Sequence, residues 1–171
     1  MKKAEEYEAK FLVPDATALD RAVEHVRSCG ARVGRSRHFL MRDIYVDTAD
    51  RWLLRAGIGL RVRWIGRRAV LTAKTRRMAS GRLVHRIEWE EKHDAARIRL
   101  PGPLPRGRLA AWLKRSRGPT TLTTLIELDH DRREYPVWIP GGARAKLCLD
   151  RVRVPHRTTP AEMNEVEIEL I

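Results

Sequence analysis

The sequence has few cysteines and no long apolar run. Its two cysteines, Cys29 and Cys148, lie far apart and form neither a CxxC motif nor a zinc-like spacing. This argues against a disulfide framework and favours reduced thiols in a cytoplasmic protein. No apolar segment approaches the roughly 20 residues that a membrane span needs. Met1-Lys2-Lys3 leads into acidic residues, so we expect neither a signal peptide nor a membrane partner.

Acidic residues are fewer than basic ones. There are 22 of them against 35 Lys and Arg, which gives a formal charge of +13. Such an excess favours an anionic partner: nucleic acid, an acidic membrane surface or a polyphosphate. Much of it is Arg, whose planar fork matches phosphate oxygens. No nucleic-acid-binding motif accompanies the charge, so we expect no nucleic-acid partner. The length predicts one domain, residues 1–171.

Charged and apolar residues alternate in stretch after stretch. In the first stretch, Glu6, Glu8 and Lys10 point one way and the apolar residues between them point the other, as in a β-strand. Further strands are predicted over 32–48, 60–64, 69–76, 84–91, 121–135, 143–154 and 165–170. Helical segments are predicted from Asp15, a candidate N-cap, to Gly30, and around 52–54 and 109–113.

Several of these strands carry charges of nearly one sign on their polar faces. The cations are Lys10, Arg61, Arg63, Lys74, Arg76, Arg86, Arg132 and Lys146, and the anions are Glu6, Glu8, Glu88, Glu90, Asp150, Glu165, Glu167 and Glu169. A plain solvated face is the alternative interpretation, but such a face usually mixes signs because like charges repel. Metal ions beside the carboxylates and a polyanion beside the Arg and Lys would compensate both groups.

The apolar rows need cover, and the helical segments can supply it. The pattern therefore predicts a mainly β, α+β fold: a closed antiparallel barrel with a charged lumen and helices packed outside. A lumen with carboxylates and Arg or Lys suits a polyphosphate with Mg²⁺ or Mn²⁺, since hard cations prefer oxygen ligands. The residues alone indicate an anion-binding barrel that uses a metal.

The ordered set of motifs resembles the CYTH family, the triphosphate tunnel metalloenzymes. The opening ExExK motif is Glu6-Tyr7-Glu8-Ala9-Lys10, and the D-x-Y-F-D-T segment is similar to Asp43-Ile44-Tyr45-Val46-Asp47-Thr48. The G-x-x-L-R-x-R segment is similar to residues 57–63. Lys74, the ExE strand at Glu88 and Glu90, and a closing acidic strand at Glu165 and Glu167 follow in order.

The resemblance implies an eight-stranded tunnel that binds triphosphate compounds. It implies a reaction at a phosphoanhydride bond that depends on Mg²⁺ or Mn²⁺. By position, the implied metal ligands are Glu6, Glu8, Glu88, Glu90, Asp150, Glu165 and Glu167. The implied phosphate-binding residues are Lys10, Arg61, Arg63, Lys74 and Arg132, to which the strand pattern adds Arg76 and Lys146. Lys10, with Glu6 and Glu8, is the implied catalytic group, and Arg133 is the alternative to Arg132.

Three functions remain open at this point. The leading prediction is a triphosphatase acting on inorganic triphosphate or on a small organic triphosphate such as thiamine triphosphate. The second is an adenylate cyclase that forms cyclic AMP from ATP with similar phosphate-binding residues. The third is a polyphosphate- or nucleotide-binding module without catalysis. We expect a cytoplasmic monomer or homodimer in each case.

Overall fold

The fold is that of a mainly β protein. It was obtained as a computed structural model, which describes residues 1–75, 78–80, 83–117, 121–155 and 161–171. The strands are β1 (Lys2–Val13), β2 (Arg32–Val33), β3 (Arg37–Thr48), β4 (Ile58–Ile65), β5 (Arg68–Thr75), β6 (Met78–Ser80), β7 (Leu83–Asp94), β8 (Leu122–Trp138), β9 (Arg144–Val154) and β10 (Ala161–Leu170). The helices are α1 (Ala16–Ser28), α2 (Trp52–Arg55) and α3 (Arg108–Arg117), with a 3₁₀ turn at Ala95–Arg97.

The predicted eight-stranded antiparallel barrel is confirmed. Its strands follow one another in the order β1-β10-β9-β8-β3-β4-β5-β7, and β7 also pairs with β1. Two short strands lie outside this ring: β6 pairs with β7, and β2 pairs with β8. Neither short strand was predicted as a separate element.

Local sequence explains most element boundaries. Asp15 accepts a hydrogen bond from the backbone N–H of Ala18 at 2.8 Å and caps α1, as predicted. Gly66 (φ +57°) turns the hairpin between β4 and β5. The predicted strand over 32–48 is interrupted instead. A Cβ at Gly34 would lie 2.8 Å from Cγ of Pro136, so the chain approaches β8 there at a distance that only glycine allows.

The chain divides into two compact units. One comprises Met1–Glu5, Met41–Arg77 and Arg86–Leu128, and we call it unit 1; the other comprises Glu6–Leu40, Met78–His85 and Asp129–Ile171, and we call it unit 2. The assignment of residues 1–171 to a single domain stays a prediction. None of the helices in the described part of the chain has the length and apolar composition needed to cross a membrane.

Each unit has its own apolar core on one face of its strands. In unit 1, Leu109 and Leu113 of α3 are buried against strand residues such as Val62 and Leu71. Four tryptophans pack against this core: Trp52, Trp64, Trp89 and Trp112. In unit 2, Leu19 and Val23 of α1 are buried with Leu147, Leu149 and Val166. The helices therefore cover the apolar faces, which leaves the opposite face of each group of strands to the charged residues.

Candidate active site

Unit 2 collects most of the predicted carboxylates on one face. Cross-strand partners in an antiparallel sheet lie on the same face. The observed register pairs Lys10 with Glu167, Glu167 with Cys148, Glu165 with Asp150, Asp150 with Arg132, and Glu8 with Glu169, which pairs with Lys146. Side chains in a strand alternate between its two faces, so Glu6, two residues before Glu8, lies on this face as well. We call this set the acidic face.

Two cations contact three carboxylates of the acidic face. Lys10 Nζ lies 3.1 Å from Glu165 Oε2 and 3.4 Å from Glu167 Oε1. Arg132 binds both oxygens of Asp150 at 2.7 and 2.6 Å, and its Nη2 also contacts Glu167 at 2.6 Å. Because Asp150 is fully buried, this bidentate contact compensates it inside the protein. Arg132 and Lys10 thus draw the acidic side chains together.

The environment keeps both cations charged. Burial works to lower the pKa of Lys10, but Glu167 and Glu165 outweigh it and raise that pKa above its ordinary value. The pKa of Arg132 is raised in the same way, with burial opposed by its hydrogen bond to Asp150 and by Glu167. A lysine with a raised pKa is an ammonium at neutral pH. Lys10 can therefore donate hydrogen bonds to water or to a phosphoryl oxygen, but in this arrangement it cannot accept a proton.

Arg132 and Arg133 differ in their contacts. Arg133 lies on the opposite side of β8 and binds Asp20 of α1 at 2.7 Å. Lys146 lies on the acidic face, as predicted from strand alternation, with its Nζ 2.6 Å from Glu169 Oε2. Burial works to lower the pKa of Lys146, but the hydrogen bond and charge of Glu169 raise it.

Cys148 also lies on the acidic face, where it is only 2% exposed. Burial raises the pKa of its thiol to about 12, although the nearby Arg132 works in the opposite direction. The thiol is therefore protonated at neutral pH and is a poor nucleophile.

Unit 1 brings the remaining predicted residues to one face, which we call the basic face. The register pairs Arg61 with Thr72 and Thr72 with Glu90. It also pairs Lys74 with Glu88, whose Oε1 lies 3.4 Å from Lys74 Nζ. Arg63 lies two residues beyond Arg61 on the same face. Arg76 lies outside the described residues.

A carboxylate that sequence reasoning did not select organises this face. Asp43 is fully buried and accepts two hydrogen bonds from Arg63, Nε to Oδ1 and Nη2 to Oδ2, both at 2.7 Å. Arg61 Nη1 contacts Asp43 Oδ2 at 3.2 Å. The only sequence signal for this role was that Asp43 opens the D-x-Y-x-D-T segment. Its pairing with Arg63 depends on the register of β3 with β4.

The second acidic residue of that segment has a structural role. Asp47 is buried and accepts hydrogen bonds from the backbone N–H groups of Leu53 and Leu54 at 2.9 and 3.1 Å. Thr48 Oγ1 accepts one from Trp52 N at 2.8 Å. These contacts satisfy the first N–H groups of α2, which have no partner within the helix. Asp47 and Thr48 therefore stabilise the start of α2.

The donor atoms of the acidic face are of the kind that binds divalent cations. Its ligands are carboxylate oxygens, the class that Mg²⁺ and Mn²⁺ bind, and Glu6 and Glu8 are buried at 6% and 4% exposure. In the side-chain arrangement described here, cations balance Glu165, Glu167 and Asp150. Within the described residues no three His, Cys, Asp or Glu side chains converge as a metal centre.

Comparison with known proteins places the chain in a family. Residues 4–171 match the CYTH domain, so the chain belongs to the CYTH family. It is similar to a Hippeastrum protein described as an adenylyl cyclase candidate with a dominant triphosphatase activity (TM-score 0.70, 20% identity, 96% of this chain and 79% of that chain). It is also similar to a candidate adenylate cyclase from Bacillus halodurans (TM-score 0.68, 22% identity, 99% and 82%).

A third solved structure, the PH1819 protein from Pyrococcus horikoshii, matches with a TM-score of 0.52 and 18% identity over 97% of this chain and 77% of that one. At these identities the structural likeness shows the fold. The family match confirms the resemblance that the motifs indicated. Of the first two structures, one is described with a dominant triphosphatase activity and the other as a candidate adenylate cyclase.

Proposed function

We propose that this protein is a metal-dependent hydrolase of triphosphate compounds, with inorganic triphosphate or a small organic triphosphate as substrate. The observation that carries the proposal is the sorting of charge in a chain of the CYTH family. One face gathers Arg61, Arg63 and Lys74, and another gathers carboxylates. A triphosphate with a divalent cation needs both kinds of group.

The basic face supplies the phosphate contacts in this proposal. A guanidinium has five N–H donors, and Asp43 accepts two hydrogen bonds from Arg63 and one from Arg61. By holding both side chains on one buried carboxylate, Asp43 fixes their orientation before substrate binds. Such preorganised donors stabilise charge on a transferred phosphoryl group without having to reorganise during the reaction.

The acidic face supplies the metal ligands. Glu6, Glu8, Glu165 and Glu167 would hold Mg²⁺ or Mn²⁺, and Asp150 is a further candidate on this face. Glu88 and Glu90 of the basic face are additional candidates. The bound metal would neutralise phosphoryl charge and lower the pKa of a bound water. Lys10, kept charged by Glu165 and Glu167, would donate to a phosphoryl oxygen or orient the attacking water.

Product analysis tests the proposal. The purified protein is incubated with inorganic triphosphate, thiamine triphosphate or ATP, each with Mg²⁺, Mn²⁺ or a chelator. We expect orthophosphate from at least one substrate and its loss with chelator. Cyclic AMP with pyrophosphate from ATP would instead identify a cyclase. Tight triphosphate binding with no product would identify a binding module.

Two variants test the proposed roles of the acidic face in metal binding and of the basic face in phosphate binding. Glu165→Gln with Glu167→Gln should abolish metal dependence and turnover together, because it removes two proposed ligands. Lys74→Ala should raise KM for the triphosphate about tenfold or more, which corresponds to the loss of one charged hydrogen bond. Lys114→Ala, on the exposed side of α3, is the matched control and should behave like the wild type. Cytoplasmic location and the monomeric or dimeric state stay predictions.

A further inference from the structure

A long stretch of unit 1 carries positive charge without any acidic residue. Residues 95–126 contain no Asp or Glu, but they contain seven basic residues: Arg97, Arg99, Arg106, Arg108, Lys114, Arg115 and Arg117. The formal net charge of this stretch is therefore +7, compared with +13 for the whole chain. None of the seven belongs to the predicted active site, so the triphosphatase proposal does not account for them.

In the fold, apolar residues of this stretch pack into the core of unit 1 and six of its basic residues are exposed. Ile98, Leu109 and Leu113 are buried in the core of unit 1, and Leu100, Leu104 and Trp112 pack against it. The cations point the other way. Six side chains are exposed to solvent, and we call them the basic surface: Arg97, Arg99, Arg106, Arg108, Lys114 and Arg115.

The segment that carries the basic surface is fixed to the sheet. Glu91 of β7 accepts hydrogen bonds from the backbone N–H groups of Arg108 and Leu109 at 2.8 and 2.9 Å. At the other end, Ala95 N donates to Arg67 O at 3.1 Å. The N-terminus of α3 is therefore already occupied by a carboxylate of the protein. Any anion that binds here must be held by the side chains.

We propose that the basic surface binds a long chain of inorganic polyphosphate, independently of the active site. Clustered like charge destabilises a surface unless an opposite charge compensates it, and a polyphosphate carries about one negative charge per phosphate. Arg is suited to phosphate oxygens because its N–H groups form a fork. A linear polyanion could bridge several of these side chains at once.

Two features favour polyphosphate over a nucleic acid. Trp112 is the only aromatic residue of residues 95–117, and its ring stacks on that of Trp89, with 6.0 Å between centroids, so it is not offered to a base. The cations also follow an irregular path, from a 3₁₀ turn through a loop with Pro101, Pro103 and Pro105 to α3. A flexible chain can follow such a path more completely than a stiff duplex can.

Binding of end-labelled long-chain polyphosphate to the full chain tests the proposal. The informative variant replaces Arg97, Arg99, Lys114 and Arg115 with Gln, since these exposed side chains can be neutralised without disturbing the hydrogen bonds of Glu91. We expect affinity to fall about tenfold or more and the salt dependence to weaken, because fewer ions are displaced on binding. Hydrolysis of inorganic triphosphate should be unchanged.

The matched control neutralises the exposed cations Arg21 and Arg35 of unit 2 and should bind polyphosphate as the wild type does. An affinity of the four-site variant within twofold of the wild type would overturn the proposal, and so would an equal loss in the control. Equally tight binding of duplex DNA at the same phosphate concentration would replace polyphosphate with nucleic acid as the partner. Failure of triphosphate hydrolysis in the wild type would refute the proposed function and leave this binding result intact.

Discussion

The two charged faces are organised in opposite ways. In unit 1, one buried carboxylate, Asp43, holds the guanidinium groups of Arg61 and Arg63. In unit 2, one guanidinium, that of Arg132, holds the carboxylates of Asp150 and Glu167. Each face thus has a residue of the minority charge that contacts two residues of the majority charge. Like charges can be concentrated on a sheet when such a residue compensates them.

The largest expected effect comes from removing the organising residue of the acidic face. Arg132→Ala leaves Asp150 fully buried without its bidentate partner. Removing one member of a buried ion pair typically costs about 3–5 kcal/mol of stability. We expect a loss of that size in the free energy of unfolding in urea at neutral pH.

The neighbouring arginine is the matched control. Arg133 pairs with Asp20, whose side chain is 61% exposed. An exposed pair contributes at most about 1 kcal/mol, so Arg133→Ala should be nearly neutral. Equal losses in the two variants would show that Asp150 does not depend on Arg132.

A smaller effect is expected from the organising residue of the basic face. Asp43→Asn keeps the size of the side chain but removes its charge, which weakens the hydrogen bonds from Arg63 and Arg61. Hydrogen bonds to charged groups are worth about 1.5–3 kcal/mol each, and we expect the free energy of unfolding to fall by about 2–3 kcal/mol. Triphosphate affinity, measured by calorimetry, should fall at the same time because the arginines lose their orientation.

Asp131→Asn serves as its control. Asp131 lies on the other side of β8 and contacts His38 at 2.7 Å, with both side chains about half exposed. It should change neither stability nor affinity by a measurable amount. A stable Asp43→Asn protein with unaltered affinity would mean that the arginines are positioned without Asp43.

The helices that cover the two units also differ in how they begin. Asp15 caps α1 from the adjacent residue, whereas Glu91 binds the first N–H groups of α3 from another element. Burial works to raise the pKa of Glu91, but the hydrogen bonds from Leu109 and Arg108 lower it overall. Glu91→Gln should cost about 1 kcal/mol at neutral pH, in the range of a helix-cap deletion.

The pH dependence tests the charge of Glu91. Because its pKa is lower in the folded state, the unfolded state binds more protons, and the contribution of Glu91 to stability is present above its ordinary pKa of 4.5. That contribution is lost as the pH falls through the folded value. Urea unfolding of both proteins from neutral to acidic pH should show their difference shrinking below that pKa. A difference that stays constant would mean that the carboxylate charge does not contribute.

The sequence was most informative where the signal is local. Alternation in Glu6, Glu8 and Lys10 identified a strand and its charged face, and Asp15 identified the start of α1. The confirmed barrel followed from many such strands together with the motif order. Strand alternation alone did not show whether Arg132 or Arg133 lies on the charged face of β8. Only the contacts with β9 and α1 distinguish the two sides of that strand.

Features that depend on strand register could not be read from the sequence. The role of Asp43 requires the pairing of β3 with β4, and the cap that Glu91 provides for α3 joins residues 17 positions apart. Glu134 was not selected either, although it lies on the acidic face and contacts Arg37 at 2.5 Å. In each case the partner lies on another element, so no motif within one segment reports it.

The smallest expected effect is on a hydroxyl of the basic face. Thr72 is fully buried between Arg61 and Glu90, and its Oγ1 has no hydrogen-bond partner within the described part of the chain. A buried polar group without a partner costs about 1–3 kcal/mol. Thr72→Val removes that group with little change of shape, so we expect the free energy of unfolding to stay the same or to rise by up to about 1 kcal/mol.

Thr75, on the same strand, is the control position for Thr72. Its Oγ1 accepts a hydrogen bond from Ile87 N at 3.0 Å, so Thr75→Val leaves a backbone donor unsatisfied and should cost about 1 kcal/mol. We therefore expect Thr75→Val to lower the free energy of unfolding, whereas Thr72→Val should leave it unchanged or raise it. If Thr72→Val lost as much stability as Thr75→Val, the Thr72 hydroxyl would have to be satisfied in solution, and the basic face would contain a water or ion at that point.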